Sequence, residues 1–235
     1  MACGGDCGKS KGRLSIQERW AMDDEAGAWR SFSPFERAME LRDQLKGIAR
    51  DLDGAVVAHH GETLSFSKRE NPDGSGSNFI EVGANVSARA VLGEGTIVLK
   101  GARVGFGVSV GRDSVIGRGT VIGDHTFIGD RNVLLEKITV RSDVTIGDGV
   151  KVDREAEIMD LAEIGDGAHI GFEVSVGTRA RVGSGAILYY RSAVPYGGSV
   201  EAGASVESAM EGAKHDAMIE ELFPGAEHVS RKWMC

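Results

Sequence analysis

Along residues 80–206 an aliphatic side chain recurs at every sixth position: Ile80, Val86, Leu92, Val98, Val104, Val110, Ile116, Ile122, Ile128, Leu134, Val140, Ile146, Val152, Ile158, Ile164, Ile170, Val176, Val182, Leu188, Val194, Val200 and Val206. None of these 22 positions slips. Two residues before most of them stands a small or β-branched residue, as at Ala90, Thr96, Ala102, Ser114, Thr120 and Ala168, and glycine commonly follows, as at Gly111, Gly117 and Gly129. Residues two apart in a strand share a side, so the aliphatic and the small residue both point inward, and the rest of each hexad turns a corner. Three hexads, or 18 residues, close one triangular coil. Such coils cannot bury their apolar side alone and must stack. At about 4.8 Å per strand, seven of them make a prism roughly 34 Å long. The expected fold is an all-β core over residues 80–207, a parallel β-helix of about seven triangular coils.

Outside the repeat the spacing becomes helical. Ser15 to Glu18, Ser33 to Glu36 and Ser208 to Glu211 each place Glu three residues after Ser, the spacing of a capping box. The second is followed by Phe35, Ala38, Leu41, Leu45, Ile48 and Leu52 on one helical face, with Pro34 at the first helical position and a stop near Gly54. Ala55 to His60 and Thr63 to Phe66 suit a small hairpin, and Asn71 to Ser77 a loop. The expected organisation is a flexible Cys-containing tail over 1–14, a helical segment with hairpin and loop over 15–79, the β-helix, and a C-terminal helix and tail over 208–235.

The 34 glycines against 4 prolines agree with many regular turns. A net charge of -8 argues against a nucleic-acid-binding surface, which needs clustered Lys and Arg. No apolar run is long enough to span a membrane and no signal-peptide core opens the chain, so a cytoplasmic location is expected. Cys3, Cys7 and Cys235 form no disulfide framework. They are tail thiols, or part of a shared metal or cluster site that Cys235 or another chain completes.

The unbroken hexads resemble the left-handed β-helix of the hexapeptide-repeat superfamily, which includes acyltransferases and γ-class carbonic anhydrases. The resemblance covers a little over half of the chain. It implies left-handed coiling, a homotrimer, and acyl transfer from a coenzyme A or acyl-carrier-protein thioester to a small-molecule amine or hydroxyl, with no tightly bound cofactor. The alternative it leaves open is a non-catalytic trimeric scaffold or γ-carbonic-anhydrase-like subunit of a larger complex, with partners docking on the N- and C-terminal segments. The γ-class zinc ligands include a His-x-x-x-x-His pair, which this chain lacks, so no metal site is expected in the repeat.

Only His125 and His169 of the six histidines lie in the repeat, and they are the candidate catalytic bases. His125 sits at a coil corner whose next-coil equivalent is Asp143, a carboxylate placed to orient the imidazole. Hexapeptide acyltransferases with an Ile-x-His-Asp pattern carry the histidine two residues after the inward aliphatic; after Ile122 that position is Asp124, and His125 follows. His169 projects from the third face of the prism, with Asp153 as its orienting carboxylate and Lys151 and Tyr189 as candidate substrate-binding residues. That face is otherwise oily, carrying Ile97, Leu99, Val115, Val133, Leu135 and Ile187. Either another subunit or one of the chain's own helices covers it.

Overall fold

The computed structural model of the chain describes residues 33–48, 54–71, 74 and 77–207. In order come one helix, α1 (Pro34–Ile48), and three longer strands, β1 (Gly54–His59), β2 (Glu62–Glu70) and β3 (Ser77–Glu81). The two-residue strands of the repeat follow, from β4 (Asn85–Val86) to β24 (Ser205–Val206). The expected tail cysteines and the helices opened by Ser15 and Ser208 lie outside the described residues, as does part of the loop after Asn71.

Each short strand pairs in parallel with the strand three further along the chain. Val133 is the register partner of both Val115 and Lys151, and Leu134 of Ile116 and Val152. The result is a parallel β-solenoid of about seven three-sided turns, with two sheets of seven strands and one of ten. The inward ladder is as the hexads predict: Ile116, Ile128, Leu134, Ile146, Ile158 and Ile170 are fully buried, and so are the small residues two before them.

Stacking at the spacing of a β-ladder leaves no room at the residue after each inward aliphatic. A Cβ at Gly117 would stand 2.2 Å from the carbonyl oxygen of Leu135 in the next coil. Glycine is needed there for the approach of the next coil rather than for an unusual φ. The corners are different: Asp113, His125 and Asp143 all sit near φ +58° without being glycine, a conformation costly for most L-residues that a hydrogen-bonded coil imposes.

The interior is not wholly apolar. Thr96, Ser114 and Asn132 form one buried column in successive coils. Asn132 donates to the carbonyls of Gly129 (2.8 Å) and Gly147 (2.9 Å) and accepts from the Val150 N–H (2.6 Å), while its own N–H donates to Ser114 Oγ (3.1 Å). These side chains satisfy main-chain groups at a corner that the ladders do not reach.

An open coil end presents unpaired strand edge. Here Asn71 and the hairpin close it. The Asn71 carboxamide accepts from the Leu92 N–H at 3.0 Å and donates to the Leu92 carbonyl, Asn78 joins the same group, and Arg69 donates to the carbonyls of Ser87 and Ala90. The β1–β2 turn is two residues long, with His60 at φ 44° and Gly61 at φ 81°, which matches the twist of a tight hairpin. β2 pairs antiparallel with β3, and β3 joins the third face of the prism in parallel through Phe79 and Ile97.

The oily third face, which the hairpin extends as strands of the same sheet, is covered by the chain's own helix. Leu41 and Leu45 of α1 are buried with Val57, Leu64, Phe66, Phe79 and Ile97. The helix begins as expected: the Ser33 N–H donates to Glu36 Oε2 (2.7 Å) and the Glu36 N–H to Ser33 Oγ (3.2 Å). It runs along the face from the coil of His169, which Phe35 touches, to that of Asp113, which pairs with Lys46. No helix among the described residues is long and apolar enough to cross a membrane.

Asn132→Ala strands the Gly147 carbonyl and the Val150 N–H and leaves the Gly129 carbonyl with Ser114 Oγ alone, so it should lower the unfolding free energy by roughly 2–4 kcal/mol, measured by urea denaturation. A loss below about 1 kcal/mol would mean that the buried polar column is dispensable. Gly117→Ala, forcing a methyl against the Leu135 carbonyl, should be worse still and should break the solenoid locally.

Candidate active site on the third face

Three of the residues marked by the sequence converge under the first turn of α1. Lys151 of β15 (Lys151–Val152) and His169 of β18 (His169–Ile170) are direct register partners on neighbouring coils. The edge of the Phe35 ring meets the His169 imidazole at 5.5 Å between centroids and 88°. Lys151 Nζ lies 5.8 Å from the centre of the same ring. Phe35 therefore packs over the half-buried imidazole, while Lys151 stays exposed.

His169 Nε2 is buried and makes no hydrogen bond. Burial lowers the imidazole pKa below its ordinary value; Asp153 pulls it partly back and Lys151 pushes it further down. The ring is thus held neutral, with an unused nitrogen. Asp153 is only 6% exposed. Burial raises its pKa, opposed by the hydrogen bond it accepts from the Arg154 N–H at 2.7 Å, by the Arg154 guanidinium and by His169. An imidazole with a buried nitrogen, a carboxyl group and a lysine stand here together at the first turn of α1. Tyr189 stays at the rim, 40% exposed, and its hydroxyl bonds none of the three.

The second candidate is placed differently. His125 is exposed at its corner, its ring edge-on to Phe106 (5.5 Å, 78°) and fitted against Gly107, where a Cβ would lie 2.9 Å from Nδ1. Asp143 occupies the equivalent corner one coil on, also exposed, and no hydrogen bond joins it to His125. The orienting contact expected from the sequence is absent. Asp124 has a structural duty: its Oδ1 accepts from the Phe106 N–H at 2.7 Å. Asp130, Asp148 and Asp166 do the same for Arg112, Asp130 and Asp148 on the preceding coil. The position at which the acyltransferase pattern carries histidine is a turn-capping carboxylate here.

Two participants were not marked by the sequence. Phe35 was visible only as one apolar residue of a capped helix, and its cover over His169 depends on where that helix docks. Arg154 follows Asp153 directly, but only the corner geometry turns its N–H back onto that carboxylate.

No protein-family model matches the sequence, and no curated protein matches it either. Several solved structures align with the fold at low identity. The acetyltransferase domain of PglB from Neisseria gonorrhoeae, in complex with acetyl coenzyme A, is 19% identical, with 74% of this chain and 72% of that chain covered and a TM-score of 0.38. UDP-N-acetylglucosamine acyltransferase from Campylobacter jejuni is 17% identical, with 55% and 68% covered and a TM-score of 0.27. A variant of GDP-perosamine N-acetyltransferase from Caulobacter crescentus, in complex with CoA and GDP-perosamine, is 21% identical, with 74% and 63% covered and a TM-score of 0.27. What this chain does has therefore to be argued from its own residues.

The covered imidazole makes a pH prediction. A histidine with a depressed folded pKa takes up its proton more readily in the unfolded chain, so its contribution to stability is present above 6.5 and is lost as pH falls through the folded pKa. Stability of the wild type should fall with pH below 6.5 more steeply than that of His169→Gln. In Phe35→Ala, water reaches the ring and the His169 titration followed by NMR should move up toward 6.5; an unmoved titration would show that Phe35 is not its cover.

Proposed function

We propose that the chain is an acyltransferase of the hexapeptide-repeat type, moving an acyl group from a coenzyme A or carrier-protein thioester to a small-molecule amine or hydroxyl, with His169 as general base. The observation that carries this reading is the His169 Nε2, buried beside Lys151 and Asp153 with no hydrogen-bond partner. A buried ring nitrogen with nothing to bond is costly unless a ligand supplies the partner.

In this mechanism Nε2 takes the proton of the acceptor amine or hydroxyl as that atom attacks the thioester carbonyl. The tetrahedral intermediate collapses with cleavage of the C–S bond, and the imidazolium returns its proton to the departing thiolate. Asp153 stabilises the imidazolium, and Lys151 offers a cation to an anionic group of donor or acceptor. Tyr189 borders the approach. Phe35 has to move aside for substrate, so the first turn of α1 acts as a gate and excludes water once closed. The choice of a thioester donor follows from the resemblance of the repeat to hexapeptide acyltransferases, a fold-level warrant. The same resemblance makes the chain a homotrimer.

A second reading, a non-catalytic trimeric scaffold, is favoured by Asp124, whose commitment to a turn leaves the usual histidine position filled by structure. Calorimetry with acetyl-CoA separates the two. The transferase reading expects saturable binding, and a loss of roughly 10²- to 10⁴-fold in turnover for His169→Gln with binding retained. Binding with turnover unchanged in His169→Gln would move the base elsewhere, with His125→Ala as the next variant; no binding of acetyl-CoA or of an acyl carrier protein would favour the scaffold. Sedimentation equilibrium should give three times the 24.9 kDa chain mass under either reading, and a monomer would remove both in their trimeric form.

A further inference from the structure

A second cluster lies away from the His169 site, where α1 passes the β1–β2 turn. One ring nitrogen each of His59 and His60 and a carboxylate oxygen of Glu40 lie within 4.8 Å of one another. Adjacent residues of a strand ordinarily point to opposite sides. Here the chain reverses immediately after His59, with φ 44° at His60 and 81° at Gly61. The two imidazoles come together, 4.4 Å between centroids and at 85°.

We propose that Glu40, His59 and His60 form a binding site for a divalent transition metal of the zinc class. Two ligands held about 2.0–2.1 Å from a tetrahedral ion are separated by about 3.3 Å; His60 Nε2 and Glu40 Oε2 are 3.2 Å apart. Two imidazoles and a carboxylate are a ligand set that suits zinc and its neighbours rather than calcium or magnesium. The supporting contacts are also of the kind that metal ligands carry. Gln44 Nε2 donates to the other Glu40 oxygen at 3.5 Å, and the main chain of Arg37 holds the His59 ring by a hydrogen bond. His59 Nδ1 is left buried and without a partner. Glu40 and His60 are both partly exposed, so an ion and a fourth, water ligand can reach the group from solvent. A bound ion would tie α1 to the hairpin. The site stands independently of the proposed acyl transfer.

The test uses the full chain with Cys3, Cys7 and Cys235 replaced by Ser, so that tail thiols do not compete. Zn²⁺ is titrated by calorimetry and Co²⁺ by visible absorption. The expected result is one equivalent per chain, with the d–d bands of a four-coordinate nitrogen and oxygen site. Affinity should fall about tenfold or more in Glu40→Gln and in His60→Asn; asparagine tolerates the positive φ of that turn, and circular dichroism confirms that both variants fold. Absence of saturable binding, or binding unaltered in both variants, overturns the site and leaves Glu40 and His60 as a hydrogen-bonded surface pair.

Discussion

Everything in this protein depends on the coil-to-coil hydrogen bonding of strands only two residues long. A pair of residues makes too few main-chain bonds to persist, and only its repetition at one fixed spacing produces a stable ladder. That spacing dictates the rest. It admits glycine alone where Gly117 meets the Leu135 carbonyl, it holds non-glycine corners such as His125 in the left-handed region, and it leaves corner amides for Asn132 and Asp124 to bond.

A stack held together this way has two problems, an open end and a sticky face, and the segment before the repeat addresses both. Asn71 and Arg69 bond the free edge of the first coils. The hairpin extends the third face, and helix α1 buries the oily side chains of both, among them Ile97. Function, as proposed, is a consequence of that cover. His169 would be a solvated imidazole on a flat face if Phe35 did not pack over it. The same docking brings Glu40 to His59 and His60. One helix therefore supplies the cap of one candidate site and a ligand of the other.

The sequence could be read furthest where the physics is local and periodic. The inward ladder, the glycines and the capping box at Ser33 and Glu36 all follow from spacing, because a strand has a period of two, a coil is closed by three hexads, and a helix start needs its free N–H groups bonded. The grouping of Lys151, Asp153 and His169 was also within reach, since residues one coil apart are neighbours by arithmetic. Spacing was less reliable for His125 and Asp143. They occupy equivalent corners, but side chains leaving left-handed corners point out into solvent, and equivalence did not become contact.

By itself, then, the order of residues determined the prism, its inward and outward sides, and which polar residues share a column, because each of these depends on intervals within the chain. Only the tertiary structure decided that the third face is covered from within, that Phe35 packs over His169, that Asp124 is tied to a turn, and that Glu40 meets two histidines from a hairpin. These contacts join segments with no common period. Where a capped helix lands is settled by the match of its apolar side chains to a surface that exists only once the coils have stacked.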